Sequence, residues 1–376
     1  MPQLRYFTAG ESHGPCLIGV LEGLPAGLKL DVDAINRDLA RRQHGYGRGG
    51  RMKIETDAVE LLSGTRKGET IGSPLTLLVK NKDAKIDVLP PVTKPRPGHA
   101  DLAGVLKYDR QDARDILERS SARETTMRVA IGAVCKQLLA QVGVEITGHV
   151  VALGPVSAKV EGLTLAQIRD RAEASSVRCA DPEAEQRIVA AIDEAKSNGD
   201  TLGGVFEIMA TGCPVGLGSH AQWDRKLDAL LARALMSIQA IKGVEVGLGF
   251  EAAQRFGSQV HDEILPAKEH ELVRGSNNAG GFEGGMTNGQ PVVVRAAMKP
   301  ISTLMKALRS VDLQSGAEVK ASVERSDVCA VPAAAVIGEA VVAYELAAAM
   351  LDKFGGDSVT ELQRNVAGYR EACRRW

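Results

Sequence analysis

Two short segments that occur twice in the same order constrain the fold more than any other feature of the chain. Residues 23–28 (GLPAGL) resemble residues 212–217 (GCPVGL), and a helical pattern follows each of them. Residues 68–74 (GETIGSP) resemble residues 285–291 (GMTNGQP), and a strand-like stretch follows each. One such match could arise by chance, but two in the same order indicate related halves. We therefore predict two β-α-β halves packed as one core.

Hydrophobic periodicity places the main elements of this core. Strands are predicted at 76–79, 205–208 and 292–295, and helices at 31–42, 121–142, 183–196, 224–240, 334–351 and 358–373. No linker separates the halves, and the Pro/Gly-rich run 90–98 is predicted to be an active-site loop. We expect an α/β (α+β-like) class and one domain over residues 1–376. Its architecture would be a β-α-β sandwich with pseudo-repeated halves around a helical core.

Composition excludes several classes of protein. The formal net charge is −1 and aromatic residues are 3%, which argues against a nucleic-acid partner. The six cysteines include no C-x-x-C pair, so no metal site is expected. The apolar stretch 328–351 carries Glu339 and Glu345, which favours a buried helix over a membrane span. Scattered cysteines and the absence of a signal-like start predict a cytoplasmic protein.

Two histidines lie in motifs that suit proton transfer. Residues 10–14 (GESHG) form a glycine-flanked turn that projects His13. In residues 96–101 (RPGHAD), His99 stands between an arginine and an aspartate, which suits a proton donor to a phosphate leaving group. The alternatives are an incidental histidine in a turn and a histidine bonded to a carboxylate for structural reasons.

Arginine-rich segments predict a small polyanionic ligand. Residues 41–51 (RRQHGYGRGGR) combine four arginines with four glycines that let a ligand approach the backbone. Residues 119–125 (RSSARET) enter a helix whose N-terminus favours a phosphate or flavin phosphate. The alternatives are an RGG-like nucleic-acid segment for the first and a capping box of Ser121 and Glu124 for the second.

Three later segments complete the candidate site. Residues 277–289 are too glycine-rich for a core, and residues 299–303 (KPIST) follow a strand. Arg325 and Asp327 are two residues apart, so an extended backbone would turn both toward one site. Residues 247–252 (GLGFEA) match a dinucleotide-binding pattern, but no suitable helix follows them.

These segments together resemble the chorismate synthase family. The resemblance rests on an ordered set of motifs: GESHG, RRQHGYGR, RPGHAD, RSSARET, SIQAIKGVE (237–245), NNAGGFEGGMTNGQP (277–291), KPIST and RSDVC. It implies elimination of phosphate from 5-enolpyruvylshikimate 3-phosphate to give chorismate in the shikimate pathway of aromatic amino acid biosynthesis. It also implies a carbon–oxygen lyase acting on phosphates, reduced FMN as cofactor and a homotetramer.

The resemblance also implies roles for individual residues. His13 would protonate the reduced flavin, His99 the leaving phosphate, and Asp327 would relay the substrate's C6 proton. The arginines that would bind the substrate are Arg42, Arg48, Arg96, Arg123 and Arg325. The residues that would contact FMN are Arg119, Ser120, Ser121, Gln239, Ala240, Gly284, Lys299, Pro300, Ile301, Ser302, Thr303 and Arg325.

Two other functions remain open from the sequence. An NADPH-dependent flavin reductase is one, because the loop at 41–51 could also hold NADPH through Arg42 and Arg48. NADPH would then be a possible reductant for the flavin. A non-enzymatic RNA-binding protein that uses the same loop is the other.

Overall fold

The computed structural model describes residues 4–49, 56–266, 272–324 and 326–374. Its strands are β1 (Arg5–Ala9), β2 (Cys16–Glu22), β3 (Glu60–Ser63), β4 (Thr65–Arg66), β5 (Glu69–Thr70), β6 (Leu75–Lys80), β7 (Glu145–Leu153), β8 (Val156–Ser157), β9 (Gly204–Thr211), β10 (Ile241–Val246), β11 (Ile264–Pro266), β12 (Leu272–Arg274), β13 (Phe282–Glu283), β14 (Met286–Thr287), β15 (Val292–Met298), β16 (Arg309–Val311) and β17 (Glu318–Lys320). Its helices are α1 (Val32–Gln43), α2 (Asp101–Tyr108), α3 (Arg114–Ser120), α4 (Thr125–Ala140), α5 (Leu165–Ala174), α6 (Pro182–Ser197), α7 (Leu227–Met236), α8 (Val331–Phe354) and α9 (Val359–Cys373).

Two larger sheets organise these strands. One has the order β1-β2-β6-β3, and the other has the order β10-β15-β9-β7-β8. Neighbouring strands are antiparallel in both sheets. The mixed helix-and-sheet class predicted from the sequence is therefore confirmed, and the antiparallel pairing places it on the α+β side.

Helices α4 and α8 connect the two sheets. Helix α4 packs against β2 and β6, α8 packs against β7 and β9, and the two helices pack against each other. The contact between them is close, because a Cβ atom added to Gly132 would lie 2.3 Å from the Cβ of Ala340. Gly338 is equally restricted, since its added Cβ would lie 2.6 Å from the Phe206 ring. Glycine at these positions lets α8 lie directly against its neighbours.

Helix α8 is long and apolar enough to cross a membrane, but 83% of its most apolar window is buried inside the protein. Its residues belong to the main hydrophobic core. The prediction of a buried helix is confirmed.

The repeated segments make the same hydrogen bonds in both halves. Thr70 donates to the Pro25 carbonyl and accepts from the Leu28 N–H. Thr287 makes the same two hydrogen bonds with Pro214 and Leu217. These distances are 2.6 and 2.9 Å in the first half and 2.7 and 2.8 Å in the second. Gly27 and Gly216 have matching positive φ angles of +83° and +84°, a conformation that glycine adopts without strain. The repeat is therefore a repeated turn with a buried threonine at its centre.

A buried carboxylate joins elements of both halves. Glu339 on α8 accepts two hydrogen bonds from Arg41, each of 2.8 Å, and one from Lys136 at 2.5 Å. It also accepts from the Gly148 N–H at 2.9 Å and from Arg178 at 3.2 Å. Burial alone would raise the pKa of Glu339, but these cations hold it well below its usual range. The carboxylate therefore stays charged inside the core.

Two predicted helices extend several residues beyond the helices of the structure. The helix predicted at 224–240 occupies only Leu227–Met236, because the chain turns and Ala240 adopts a φ of +67°. The helix predicted at 121–142 is α4 alone, preceded by the 3₁₀ turn Ala122–Glu124. Both extra stretches form turns at the candidate site.

We predict that Gly132→Ala destabilises the protein by roughly 1–3 kcal/mol or more, because the new methyl group collides with Ala340 in the helix contact. Gly368→Ala in α9 is the matched control, since nothing lies within 4 Å of its added Cβ. The control should gain stability, by at most about 1 kcal/mol from helix propensity. Urea unfolding of both variants measures the difference, and equal stabilities would contradict the close α4–α8 contact.

Candidate active site

The turn that carries His13 lies against helix α3. The Ser12 N–H donates to the Glu118 carbonyl at 3.0 Å. The His13 N–H donates to the Glu118 carboxylate at 2.9 Å, and the ring Nδ1 lies 2.9 Å from the same oxygen. Gly10 makes the turn possible, because its φ is +104° and an added Cβ would lie 2.3 Å from the Cys16 carbonyl oxygen. The ring is therefore held by its backbone and by one edge.

The loop that carries His99 is held by a buried carboxylate. Asp101 lies 2.5 Å from His99 Nδ1 and accepts from Arg96 Nε at 2.8 Å. Burial alone would raise the pKa of Asp101, but hydrogen bonds from His99 and Arg96 hold it well below its usual range. Since the carboxylate only accepts, Nδ1 carries the proton and Nε2 is the nitrogen available to a ligand. The structure thus brings the three predicted residues of this motif together.

The same loop contacts the KPIST segment. Arg96 donates to Thr303 Oγ1 at 3.0 Å, and Lys299 Nζ donates to the Gly98 carbonyl at 2.5 Å. Partial burial and then the neighbouring Lys242 lower the pKa of Lys299. The charges of Lys242 and Lys299 repel each other, and an anion bound beside them would reduce that repulsion.

Arg42 and Arg123 share one buried carboxylate. Asp57 accepts from Arg42 at 2.9 Å and from Arg123 at 2.6 Å. Burial lowers the pKa of Arg42 to about 10, although Asp57 opposes the change. Arg123 also donates to the side-chain oxygen of Asn81. The Asn81 side-chain NH2 group in turn donates to the carbonyls of Glu11 and Gly14. The arginine pair is therefore tied to the turn that carries His13.

Arg48 and Asp327 form an ion pair of 2.7 Å, and the Gly49 N–H donates to the same carboxylate at 2.6 Å. The Arg48 charge also lowers the pKa of Arg42. These contacts place the predicted proton relay beside the predicted substrate arginines. Arg325 lies outside the described residues.

The RSSARET segment closes the site on another side. Arg119 donates to the carbonyls of Thr8 and Gly10 at 2.8 and 2.9 Å, so its guanidinium fixes the end of β1. Ser121 Oγ donates to Ser12 Oγ at 3.2 Å and accepts from the Arg123 N–H at 3.3 Å. The Ser120 hydroxyl donates to the Leu117 carbonyl at 3.4 Å.

Glu124 does not complete a capping box. Its carboxylate binds Thr8 at 2.8 Å, Arg128 at 3.0 Å and the Gln239 amide at 3.4 Å. Gln239 Oε1 is buried and has no hydrogen-bond partner among the described residues. An orphaned buried acceptor indicates a missing donor, and a ligand is one source of it.

The remaining cofactor predictions divide into two groups. Ala240 joins the site, since its carbonyl accepts from the Lys299 N–H at 2.9 Å. Gly284 lies in the β13–β14 hairpin, where its added Cβ would lie 3.6 Å from the His220 side chain. The described contacts do not bring Gly284 to the other predicted residues. Pro300, Ile301 and Ser302 lie in the loop after β15, and the Ile301 carbonyl accepts from Thr201 at 2.8 Å.

Sequence reasoning missed the carboxylates that hold the site. Glu118 and Asp57 lie outside every motif, so a role for them could be predicted only from the residues that they contact in the fold. The one available pattern is the i, i+4 spacing of Arg114 and Glu118, which predicts an ion pair and which the structure shows at 3.1 Å. That spacing does not connect Glu118 to His13.

The described arginines of the 41–51 loop do not form an exposed basic surface. The side chains of Arg41, Arg42 and Arg48 are 23%, 3% and 10% exposed, and each is paired with a carboxylate. This arrangement disfavours the RNA-binding alternative, which needs guanidinium groups that reach a phosphate backbone.

The comparisons with known proteins identify a family. The chorismate synthase family model matches residues 4–351. Chorismate synthase from Geobacter sulfurreducens is 60% identical over 99% of both chains. Chorismate synthase 1 from Bacillus cereus is 55% identical over 99% of this chain and 100% of its own length.

A solved structure agrees as well. The crystal structure of a chorismate synthase superposes with a TM-score of 0.83 at 44% identity, over 99% of both chains. The chain belongs to the chorismate synthase family, and it is an enzyme of the carbon–oxygen lyase class that acts on phosphates.

Proposed function

We propose that the chain eliminates phosphate from 5-enolpyruvylshikimate 3-phosphate to give chorismate, with reduced FMN, as a step of the shikimate pathway. The observation that carries this proposal is the Arg96–His99–Asp101 cluster, in which a histidine oriented by a buried carboxylate lies 3.1 Å from a guanidinium. Such a cluster suits the binding and protonation of a leaving phosphate.

The proposed substrate carries one phosphate and two carboxylates, so it needs several cations in one cleft. Arg42, Arg48 and Arg123 are already oriented by Asp57 and Asp327. Arg42 Nε is buried and has no hydrogen-bond partner among the described residues. This donor supports a ligand oxygen at the arginine pair.

The residues present fit FMN. Lys299 and Lys242 form a cationic pair that suits the cofactor's phosphate, and the orphaned Gln239 Oε1 suits a donor group of the ring. Lys299, Gln239 and the Ala240 backbone would then hold the cofactor. When bound, reduced FMN supplies the electron density that starts C–O cleavage, and it is regenerated when the substrate loses its proton.

The protein's own residues supply protons and orientation. His99 donates a proton from Nε2 to the departing phosphate, because Nδ1 is engaged by Asp101. His13 holds a proton toward the cofactor. Asp327 takes part in moving the C6 proton, and Arg48 keeps its carboxylate in place. NADPH is a possible reductant of the flavin, with Arg42 and Arg48 as its contacts.

We also propose a homotetramer in the cytoplasm. Exposed apolar side chains on the β11–β12 hairpin support association, since Ile264 and Leu272 are 61% and 59% exposed. The finer fold interpretation is a single-domain β-α-β sandwich of two pseudo-repeated halves. Four strands of the second sheet, β7-β9-β15-β10, follow the same order as β1-β2-β6-β3 in the first, and helices α4 and α8 connect the two sheets. Both observations support this interpretation.

Anaerobic incubation of 5-enolpyruvylshikimate 3-phosphate with dithionite-reduced FMN tests the proposal. We expect chorismate absorbance and phosphate release only in the presence of reduced flavin. FMN binding without turnover would reject this reaction, and anaerobic NADPH oxidation without substrate would then indicate a flavin reductase.

We predict that His99→Ala lowers kcat by roughly 10²–10⁴-fold, because the leaving phosphate loses its general acid. FMN binding should remain largely intact. His261→Ala is the control, since His261 is exposed and lies outside the candidate site. Steady-state turnover measures the effect, and full activity of the His99 variant would remove this histidine from the mechanism.

Arg48→Ala should mainly raise KM, by roughly 10-fold to 100-fold, because a hydrogen bond to a charged group contributes about 1.5–3 kcal/mol. Arg37→Ala removes the same charge from an exposed position of α1 and should leave KM unchanged. If both variants keep the wild-type KM and kcat, Arg48 does not bind the substrate.

A further inference from the structure

We propose that Glu118 is a positioning residue that confines proton exchange by His13 to the Nε2 atom. The proposal rests on the proposed function, in which His13 transfers a proton toward the cofactor. It adds a residue that no motif contains and assigns the atom at which the transfer occurs.

The geometry around the ring carries the proposal. One carboxylate oxygen of Glu118 lies 2.9 Å from both the backbone nitrogen and the Nδ1 atom of His13. The second carboxylate oxygen lies 3.0 Å from Nδ1. A carboxylate only accepts hydrogen bonds, so Nδ1 must carry a hydrogen in both the neutral and the charged ring. A proton can then be gained or lost only at Nε2.

Glu118 is well suited to hold this bond. Its side chain is 1% exposed, whereas the His13 side chain is 20% exposed. Burial alone would raise the pKa of Glu118, but hydrogen bonds from His13 and Arg114 lower it below its usual value. The carboxylate therefore stays ionised at neutral pH. Helix α3 supplies both Glu118 and Arg114, whose distance is 3.1 Å.

The opposite edge of the ring faces a different environment. His13 Nε2 lies 3.7 Å from Asp83, which pairs with Lys85 at 2.8 Å. The Lys85 and Ile86 N–H groups donate to the His13 carbonyl and fix its backbone. The charged groups that face His13 are thus Glu118 and Arg114 on one edge and Asp83 with Lys85 on the other. The groups beside the Nε2 edge are more exposed to solvent than those beside Nδ1, so a ligand or solvent can exchange protons there.

Glu118→Gln tests the proposal with little change in shape. The glutamine oxygen is an uncharged and therefore weaker acceptor, and the amide nitrogen that replaces the second oxygen cannot accept from Nδ1. The neutral ring should therefore lose part of its preference for hydrogen at Nδ1 and carry more of it at Nε2. Glu324→Gln is the matched control, because Glu324 lies 3.5 Å from the same Arg114 but is 40% exposed and does not contact His13.

Ring ¹⁵N spectra of the full chain without ligands provide a readout independent of activity. We expect His13 to be protonated at Nδ1 in the wild type and in Glu324→Gln, and to have a larger Nε2-protonated share in Glu118→Gln. A wild-type ring protonated at Nε2, or a ring unchanged by Glu118→Gln, would overturn the proposal. Correct spectra from a chain that does not form chorismate would reject the proposed function and leave the positioning role intact.

Turnover provides the second readout. Glu118→Gln should lower kcat by roughly 10-fold to 100-fold. In a His13→Gln background the same change should have no further effect on kcat. An equal loss in both backgrounds, or a loss explained by a lower unfolding temperature, would show a purely structural role.

Discussion

The structure depends on one buried negative charge at the contact between its central helices. Glu339 binds cations from α1, α4 and the segment after α5, as well as the Gly148 N–H of β7. Removing one partner from a buried ion network costs roughly 3–5 kcal/mol, because the remaining charge is left uncompensated. The arginine loop begins beside this network, since Arg41 is bonded to Glu339 and Arg42 points to Asp57. The core and the candidate site are therefore joined at adjacent residues.

In the candidate site, too, buried carboxylates hold the cationic side chains. Its cations are oriented by buried carboxylates before any ligand arrives, with Asp57, Asp101 and Glu118 as the main acceptors. Such preorganisation lowers the reorganisation needed when a polyanion binds. The near-neutral net charge of the chain is consistent with this arrangement, because the cationic groups are balanced locally.

The sequence predicted the mixed fold class, the long core helix and several strands, because periodicity and turn chemistry are local properties. It also led to the family through the motifs that carry His13 and His99. Asp57 and Glu118 could not be predicted, since an acidic residue acquires a partner only when distant segments meet. Glu118 and His13 are 105 residues apart in the chain. The early end of α7 at Met236 was missed, because alanine gives no sequence signal for the left-handed conformation that Ala240 adopts.

The two halves that contain the threonine turns differ in one connection between strands. Thr70 and Thr287 hold equivalent turns in the two halves. However, the connection between β1 and β2 differs in length from the equivalent connection between β7 and β9. In the first half this connection is the short turn that carries His13. In the second half it runs from β7 to β9 and contains α5 and α6. The same loop position thus occurs twice in the fold, and a long connection at one of them need not disturb the chemistry at the other.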